Sequence, residues 1–400
     1  MNFLSTAERL ASIDHSVIVL NEDRCLHSKD KLSSCEACFA ICPVGAIKVG
    51  KPPTLNSKQC QACLACLAVC PVGAYSADDA VSVLLISAAR LESKSVELLC
   101  SRHENPSAGI SADITAIRIK GCLAGLGSGA YITLSSMGVE TIAVRLDSCR
   151  HCPWRPLQNV IFEQINQAKK LLSHWGKSES LHSITDLEDQ YQRPYLDADN
   201  PHLSRRELFL IVAKQSRNAV ARTVCDQSQG GDRRLGRDRL RINSAIDHLP
   251  EVDQQLDTIL TGGNHAVLDV SQECTACRAC VRVCPSNALD IEFNQQKTHY
   301  RLKFSPQNCI GCEACVHVCA PGAITIRNTP SFYDVYGTLE PRVLSKGQLA
   351  RCVQCKTYFA AQIEQRLCPT CGFRRKNPFG TQIPPGATVQ VKENEKTLKK

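Results

Sequence analysis

Cysteine is the residue type whose number and spacing point most directly to chemistry in this sequence. The chain has 400 residues and 25 cysteines, and all of them except Cys225 fall into groups of four. Thiolates grouped in this way bind metal, whereas disulfide frameworks are typical of small secreted domains. Residues 1–10 lack the basic start and apolar run of a secretory signal. We therefore expect a cytoplasmic protein with metal-bound thiolates, or one attached to a membrane only through its partners.

Two stretches of the chain carry eight cysteines each. Residues 60–71 and 274–285 both fit the spacing C-x2-C-x2-C-x3-C-P without a mismatch. In such a run three thiolates reach one [4Fe-4S] cluster, and the fourth cysteine ligates the neighbouring cluster. The spacing therefore predicts four [4Fe-4S] clusters with crossed ligand sets. These sets are Cys25, Cys35, Cys38 and Cys70; Cys42, Cys60, Cys63 and Cys66; Cys274, Cys277, Cys280 and Cys319; and Cys284, Cys309, Cys312 and Cys315.

Two positions depart from this spacing. Nine residues separate Cys25 from Cys35, so the loop at 26–34 must fold back if Cys25 is a ligand, as we expect. The alternative is a three-iron cluster on Cys35, Cys38 and Cys70. Cys319 is followed by one extra residue before Pro321, a change that should spare the thiolate. Zinc sites or disulfides are the alternative for both stretches as a whole.

The two stretches resemble the bacterial two-cluster ferredoxin family over residues 15–78 and 264–328. The resemblance implies a pseudo-twofold α+β fold for each module and one-electron transfer between its clusters. A chain with two such modules is similar to polyferredoxins.

Between the two stretches, residues 94–175 alternate between strand-like and helix-like segments. We predict strands at 96–99, 116–120 and 141–146 and helices at 127–137 and 156–174, an alternation typical of a parallel sheet. Cys100, Cys122 and Cys149 would each follow the carboxyl end of a strand, where ligands bind in open parallel sheets. Cys152 follows closely, so four thiolates could meet at one metal centre. His151 is an alternative ligand, and buried structural cysteines are the alternative to a metal centre.

Glycines crowd the loop after the second predicted strand. Gly121, Gly125, Gly127 and Gly129 could form a dinucleotide-binding turn with Asp147 as the acidic partner, but their spacing is not G-x-G-x-x-G. We expect instead that they let the backbone pass close to a metal cluster. Through Cys100, the loop from Cys122 to Gly125, and the Cys149-x-x-Cys152 pair, this region resembles the iron–sulfur domain of the methyl-viologen-reducing hydrogenase delta subunit. That resemblance implies a [2Fe-2S] cluster on the four cysteines.

The last four cysteines form two knuckles, Cys352-x2-Cys355 and Cys368-x2-Cys371. This spacing predicts a zinc-ribbon-like domain with one structural Zn²⁺ on four thiolates. Iron of the rubredoxin type is the alternative, because it uses the same tetrahedral arrangement of four sulfurs.

The predicted fold class is therefore α+β with several domains. They are a first two-cluster ferredoxin module (1–80), a small α/β parallel-sheet domain (81–175), a helical or flexible linker (176–262), a second two-cluster ferredoxin module (263–330), the zinc-ribbon-like domain (331–378) and a disordered tail (379–400). Within the linker, the arginine-rich run at 233–241 is expected to be solvated or to dock an acidic partner. The longest apolar stretch, residues 80–89, is too short to span a membrane.

Three functions are compatible with these features. The leading hypothesis is a non-catalytic electron-transfer subunit that serves a hydrogenase, a formate dehydrogenase or a heterodisulfide reductase-like enzyme, because many clusters accompany no catalytic motif. The second is an oxidoreductase with a flavin or nicotinamide in the middle domain. The third is a redox-sensing scaffold or regulatory protein. The formal charge of +8 is no argument for nucleic acid, since each loaded [4Fe-4S] site adds about −2.

Overall fold

The computed structural model describes residues 18–91, 93–187, 190–198, 235–251, 257–260, 264–338, 340–361 and 365–378. The chain divides into two compact units. The first comprises Met1–Asn264 with Ser331–Tyr333, and the second comprises His265–Pro330 with Asp334–Lys400. Cys225, the predicted tail and the part of the predicted linker at 199–234 lie outside the described residues.

Short helices and short strand pairs surround the first eight cysteines. The elements are β1 (Val19–Leu20), α1 (Leu26–Lys29), α2 (Ala37–Ile41), β2 (Ile47–Lys48), β3 (Thr54–Leu55), α3 (Ala65–Val69) and β4 (Tyr75–Ser76). The first strand pairs with the last, and β2 pairs with β3, both antiparallel. The elements are short because the eight cysteines follow one another closely along this part of the chain.

A parallel sheet follows. Its region contains α4 (Ala80–Arg90), β5 (Ser95–Leu99), β6 (Ala108–Gly109), β7 (Thr115–Arg118), α5 (Ser128–Ser136), β8 (Thr141–Arg145), α6 (Leu157–Leu172), β9 (Leu181–Ile184), β10 (Tyr191–Gln192), β11 (Tyr195–Asp197) and α7 (Arg237–Ile246). The strand order is β11-β7-β5-β8-β9, and all neighbouring strands are parallel. The prediction of a parallel-sheet domain is confirmed, and the predicted strands and helices match β5, β7, β8, α5 and α6 to within about two residues at each end.

The burial of the helices explains their positions around this sheet. Every residue from Ser128 to Ser135 is buried, so α5 is a central helix without a solvent face. Helix α6 instead buries one stripe at intervals of three or four residues, as expected for an amphipathic surface helix. That stripe includes Leu157, Ile161, Ile165, Ala168 and Leu172. Helix α4, the longest apolar stretch of the sequence, buries seven of its eleven residues.

The sheet continues beyond residue 175, where the sequence analysis ended the domain. Both β9 and β11 lie in the region predicted as a linker, yet they form the outer strands of the five-stranded sheet. They are short, and only Leu181 among their residues is fully buried, because an outer strand is covered on fewer sides. A pattern search for continuous apolar runs therefore misses them.

Helix α7 corrects the prediction for the arginine-rich run. Its described part is neither a solvated linker nor a free docking stripe, because the helix packs against α5 and buries Arg239 and Arg241. Each buried guanidinium has a partner: Arg241 donates to Asp79 at 2.5 Å, and Arg239 donates to the carbonyl of Asn264 at 3.1 Å. Paired charges can be buried at acceptable cost, which is why charge density alone predicted the wrong environment.

From residue 264 onward the chain repeats the arrangement seen around the first cysteines. The elements are β12 (Val267–Val270), α8 (Ala279–Val283), β13 (Leu289–Phe293), β14 (His299–Phe304), α9 (Ala314–His317), β15 (Ile324–Arg327), α10 (Phe332–Tyr336), β16 (Arg342–Arg351), β17 (Tyr358–Ala360) and α11 (Pro369–Lys376). Again the first strand, β12, pairs with the last, β15, and the two middle strands, β13 and β14, pair with each other.

The C-terminal cysteines do not form a separate body, contrary to the predicted boundary at 330. Strand β16 pairs with both β14 and β17, which gives one sheet of order β13-β14-β16-β17 within the second unit. Among the helices of the described ranges, none is both long and apolar enough to cross a bilayer.

Candidate metal centres

The cysteines of the second unit surround two separate cavities, and each cavity takes one member from the opposite run. One is lined by Cys274, Cys277, Cys280 and Cys319. The other is lined by Cys284, Cys309, Cys312 and Cys315. These are the two crossed sets predicted from the spacing. None of the 24 described cysteines forms a disulfide.

In the first unit, one cavity has the same kind of lining. Its walls include the thiols of Cys25, Cys35, Cys38 and Cys70. The inserted loop between the first two cysteines folds back through helix α1, and His27 Nε2 lies 2.7 Å from the carbonyl oxygen of Cys35. This fold brings Cys25 to the same cavity as the other three.

The remaining set of the first unit is recognised from the electrostatics of its thiols. Burial raises the pKa of Cys66, and the nearby charges of Cys63, Cys60, Cys42 and, last, Cys70 of the neighbouring set raise it further. Burial likewise raises the pKa of Cys70 in the neighbouring set, to about 11. Thiolates buried near one another repel, so a cationic core would be needed to hold these cysteines in the ionised form.

The recurring Pro-x-Gly/Asn-Ala sequence after the runs has a geometric role. The backbone N–H of Ala46 donates to Cys42 Sγ at 3.2 Å, and the N–H of Ala74 donates to Cys70 Sγ at 3.1 Å. In the second unit Ala288 donates to Cys284 Sγ at 3.3 Å in the same way. The intervening glycine or asparagine has a positive φ at all of these turns, a conformation that these two residue types adopt more readily than most others. The motif therefore supplies an N–H donor to each of these sulfurs.

The sheet domain brings its four cysteines together at the carboxyl edge of the strands. Cys100 directly follows β5, and the loops after β7 and β8 carry the other three. Burial raises the pKa of Cys149 to about 12, with further contributions from Cys100 and Cys152. Burial also raises the pKa of Cys122, which interacts with both Cys100 and Cys149. The four thiols can therefore share one metal centre, while His151 is exposed.

A buried ion network supports the loop that carries Cys149 and Cys152. Arg145 donates from Nη1 to Glu97 at 2.8 Å and from Nε to Asp147 at 2.8 Å. Burial opposes ionisation of Asp147, but His103 and Arg145 hold the pKa of its carboxyl well below its usual range. Asp147 is thus paired with Arg145 and His103, and it is not available as the acidic partner of a dinucleotide site.

The glycine-rich turn is also covered by the protein itself. Asp238 of α7 accepts a hydrogen bond from the N–H of Gly129 at 2.7 Å. A Cβ at Gly127 would lie 2.2 Å from the same carboxylate. Asp238 therefore occupies the N-terminus of α5, where the pyrophosphate of a dinucleotide would have to bind.

The last four cysteines differ from all the others in how close their sulfur atoms lie. The ligand atoms of Cys352, Cys355, Cys368 and Cys371 are all within 4.8 Å of one another. One pair, Cys355 Sγ and Cys368 Sγ, is 3.6 Å apart. Tetrahedral Zn²⁺ with four thiolates requires about 3.8 Å between sulfurs. Across the described ranges, no other group of such side chains is this close, which fits one ion here and larger cores elsewhere.

The hydroxyl of Tyr75 is a buried polar group next to the predicted ligands of the first unit. The hydroxyl of Tyr75 finds no nitrogen or oxygen to bond among the described residues, although the side chain is only 2% exposed. The ring lines the cavity of Cys25, Cys35, Cys38 and Cys70. Burial raises the pKa of Tyr75, with the Cys38 thiol adding to it, so the hydroxyl keeps its proton. The Cys38 sulfur interacts with this hydroxyl, and as a thiolate ligand of a cluster it would accept the proton.

Tyr75→Phe is therefore expected to lower the reduction potential of the cluster at this cavity. An O–H donor stabilises the more negative reduced cluster, and a hydrogen bond worth about 1 kcal/mol corresponds to roughly 40 mV for one electron. An EPR-monitored redox titration of the loaded chain measures the change. Tyr191→Phe is the matched control, since Tyr191 is 48% exposed. Unchanged potentials for every cluster in Tyr75→Phe would show that the hydroxyl has another role.

Sequence comparison agrees with the geometry of the second unit. A family model described as a 4Fe-4S dicluster domain matches residues 273–323. That stretch contains all eight cysteines of the two cavities. The chain is therefore an iron–sulfur protein with a [4Fe-4S] dicluster domain. No curated protein matches the chain.

Proposed function

We propose that the chain is an electron-transfer subunit with four [4Fe-4S] clusters, one [2Fe-2S] cluster and one zinc ion. The observation that carries the proposal is the meeting of crossed cysteine sets, with Cys274, Cys277, Cys280 and Cys319 around one cavity and Cys284, Cys309, Cys312 and Cys315 around the next. The crossing of ligands places the two cores of a dicluster domain next to each other, an arrangement suited to electron hopping.

The same reasoning extends to the first unit and the sheet domain. Cys25, Cys35, Cys38 and Cys70 line a cavity of the same type, and the charges of Cys63, Cys60 and Cys42 are the largest that act on the buried thiol of Cys66. The resemblance to the hydrogenase delta subunit supports a [2Fe-2S] cluster on Cys100, Cys122, Cys149 and Cys152. The close sulfurs at the C-terminus support Zn²⁺ on Cys352, Cys355, Cys368 and Cys371.

We further propose that the chain works with other subunits of a redox enzyme complex of the hydrogenase, formate dehydrogenase or heterodisulfide reductase type. Clusters store and pass electrons, so an enzyme in the same complex would supply the substrate chemistry. The glycine-rich turn offers no support for the alternative of a nucleotide-dependent oxidoreductase, because Asp238 covers it.

An anaerobic titration tests this proposal. The fully loaded chain is expected to take up about five electrons from dithionite, one per cluster, and to return all of them to cytochrome c. Addition of NADH or NADPH should leave the clusters oxidised. Cys149→Ala is expected to lower the capacity by one electron. A bound flavin, or reduction by a nicotinamide at enzymatic rates, would favour the alternative function.

A further inference from the structure

Two ligand loops of the first unit bind each other directly. The backbone N–H of Cys122, in the sheet domain, donates to the carbonyl of Cys63 at 3.1 Å. A second bond joins the same two regions: Trp154 Nε1 donates to Gln61 Oε1 at 2.8 Å. Gln61 lies between the ligand positions Cys60 and Cys63, and the amide of Trp154 donates to Cys152 Sγ at 3.4 Å. Residues adjacent to the sulfurs therefore form the contact.

The glycines of the sheet domain make this close approach possible. A Cβ at Gly121, whose φ is +76°, would lie 3.1 Å from the carbonyl oxygen of Cys63. A Cβ at Gly125 would lie 2.9 Å from the Cβ of Leu64. Larger residues at either position would push the two loops apart. The expectation that these glycines let the backbone pass close to a metal site thus gains a specific partner.

Leu64 differs in chemistry from the residues at the same position in the other runs. The residue after the second cysteine is Glu36, Arg278 or Glu313 elsewhere, with Glu36 and Arg278 exposed. Leu64 is 2% exposed and adopts φ 66°, as Arg278 does. The loop conformation is therefore the same with leucine or arginine, while the apolar side chain matches the glycine surface of the sheet domain.

We infer that the centre of the sheet domain exchanges electrons with the cluster of Cys42, Cys60, Cys63 and Cys66, and that the contact through Leu64 and the Cys63–Cys122 hydrogen bond is the route between them. The inference rests on the proposed function, in that both sets of thiols hold clusters. The step moves one electron, so that one centre is oxidised as the other is reduced, and no bond forms or breaks. Of the two clusters proposed for residues 25–70, the one on Cys42, Cys60, Cys63 and Cys66 would therefore be the electron partner of the sheet domain.

Leu64→Arg in the full, anaerobically loaded chain tests the route. The variant is expected to keep its iron, because the loop tolerates arginine at this position in the second unit. Spin relaxation of the sheet-domain centre, measured by EPR power saturation in the reduced protein, should slow several-fold as the neighbouring cluster moves away. Glu36→Arg, which places the same residue at the corresponding and exposed position of the other run, is expected to leave the relaxation unchanged. Equal relaxation in wild type and Leu64→Arg would overturn the inference.

A second pair of variants decides the question if Leu64→Arg loses iron. Cys66→Ala should remove the relaxation enhancement of the sheet-domain centre, and Cys38→Ala should leave it intact. The reverse result, or no effect of Cys66→Ala, would refute the route. If wild type shows no reducible signal that disappears in Cys149→Ala, the proposed [2Fe-2S] centre itself is wrong. A signal that is present but insensitive to Cys66→Ala contradicts only the inference.

Discussion

Removing Cys38 and Cys70 together is expected to destroy one [4Fe-4S] cluster, whereas removing Cys66 and Cys70 together is expected to destroy two. The reason is the crossed arrangement, in which Cys70 lines the cavity of Cys25, Cys35 and Cys38. If ligands followed chain order instead, Cys70 would belong with Cys66, and the two double variants would exchange their results. The difference amounts to about four irons per chain.

Mössbauer spectroscopy of ⁵⁷Fe-loaded protein measures this difference, because it counts the iron in intact four-iron clusters. Wild type is expected to hold about sixteen irons in such clusters, with about two more in the sheet domain. Where loss of a cysteine leaves a three-iron cluster, its iron appears as a separate component of the Mössbauer spectrum. Alanine is used for each cysteine because serine oxygen can itself bind iron. Equal losses in the two double variants would contradict crossed ligation.

Zinc provides an internal reference in the same samples. Wild type should contain about one zinc, and none of the ferredoxin-loop variants should lose it, since the C-terminal thiols form their own close group. Cys371→Ala is expected to lose the zinc and keep the iron. Iron in place of zinc at this position would indicate the rubredoxin-type alternative.

Cysteine spacing carries information about these predicted sites because it acts through local geometry. Gaps of two residues confine thiolates to one loop, and parallel strands bring their carboxyl ends to one edge, so the cysteines after β5, β7 and β8 had to meet. The first relationship is local to one loop, and the second follows from the alternation of strands and helices, which a single sequence displays.

Features that depend on contacts between distant residues could not be read in the same way. Asp238 and Gly129 are 109 residues apart, and neither has a motif that refers to the other. The burial of Arg241 depends on Asp79, 162 residues away, so its charge suggested solvent. Leu64 did leave a signal, since it is the apolar residue at a position that is charged in the other three runs, but only the structure supplies its partner.

Glu97→Gln is expected to destabilise the sheet domain strongly. Glu97 lies in the central strand β5 and is fully buried. Its carboxylate accepts from Arg145 at 2.8 Å, from Arg193 Nε at 3.2 Å and from the N–H of Ile110 at 2.9 Å. Both guanidinium groups are themselves buried. Glutamine removes the one negative charge shared by two buried cations, and breaking such a pair costs about 3–5 kcal/mol.

Hydrogen exchange of the β5 and β8 amides in the loaded chain measures this loss without requiring two-state unfolding. A cost of that size corresponds to a fall in protection of roughly a hundredfold or more. Glu140→Gln is the matched control: Glu140 pairs with Lys94 at 2.5 Å, but both side chains are more than 60% exposed, so the cost should stay below about 1 kcal/mol.

Because Arg145 also binds Asp147, two residues before Cys149, Glu97→Gln should loosen the metal loop as well as the strands. If protection falls equally in the two variants, the buried network does not hold this edge of the sheet, and packing of the apolar strands alone must do so.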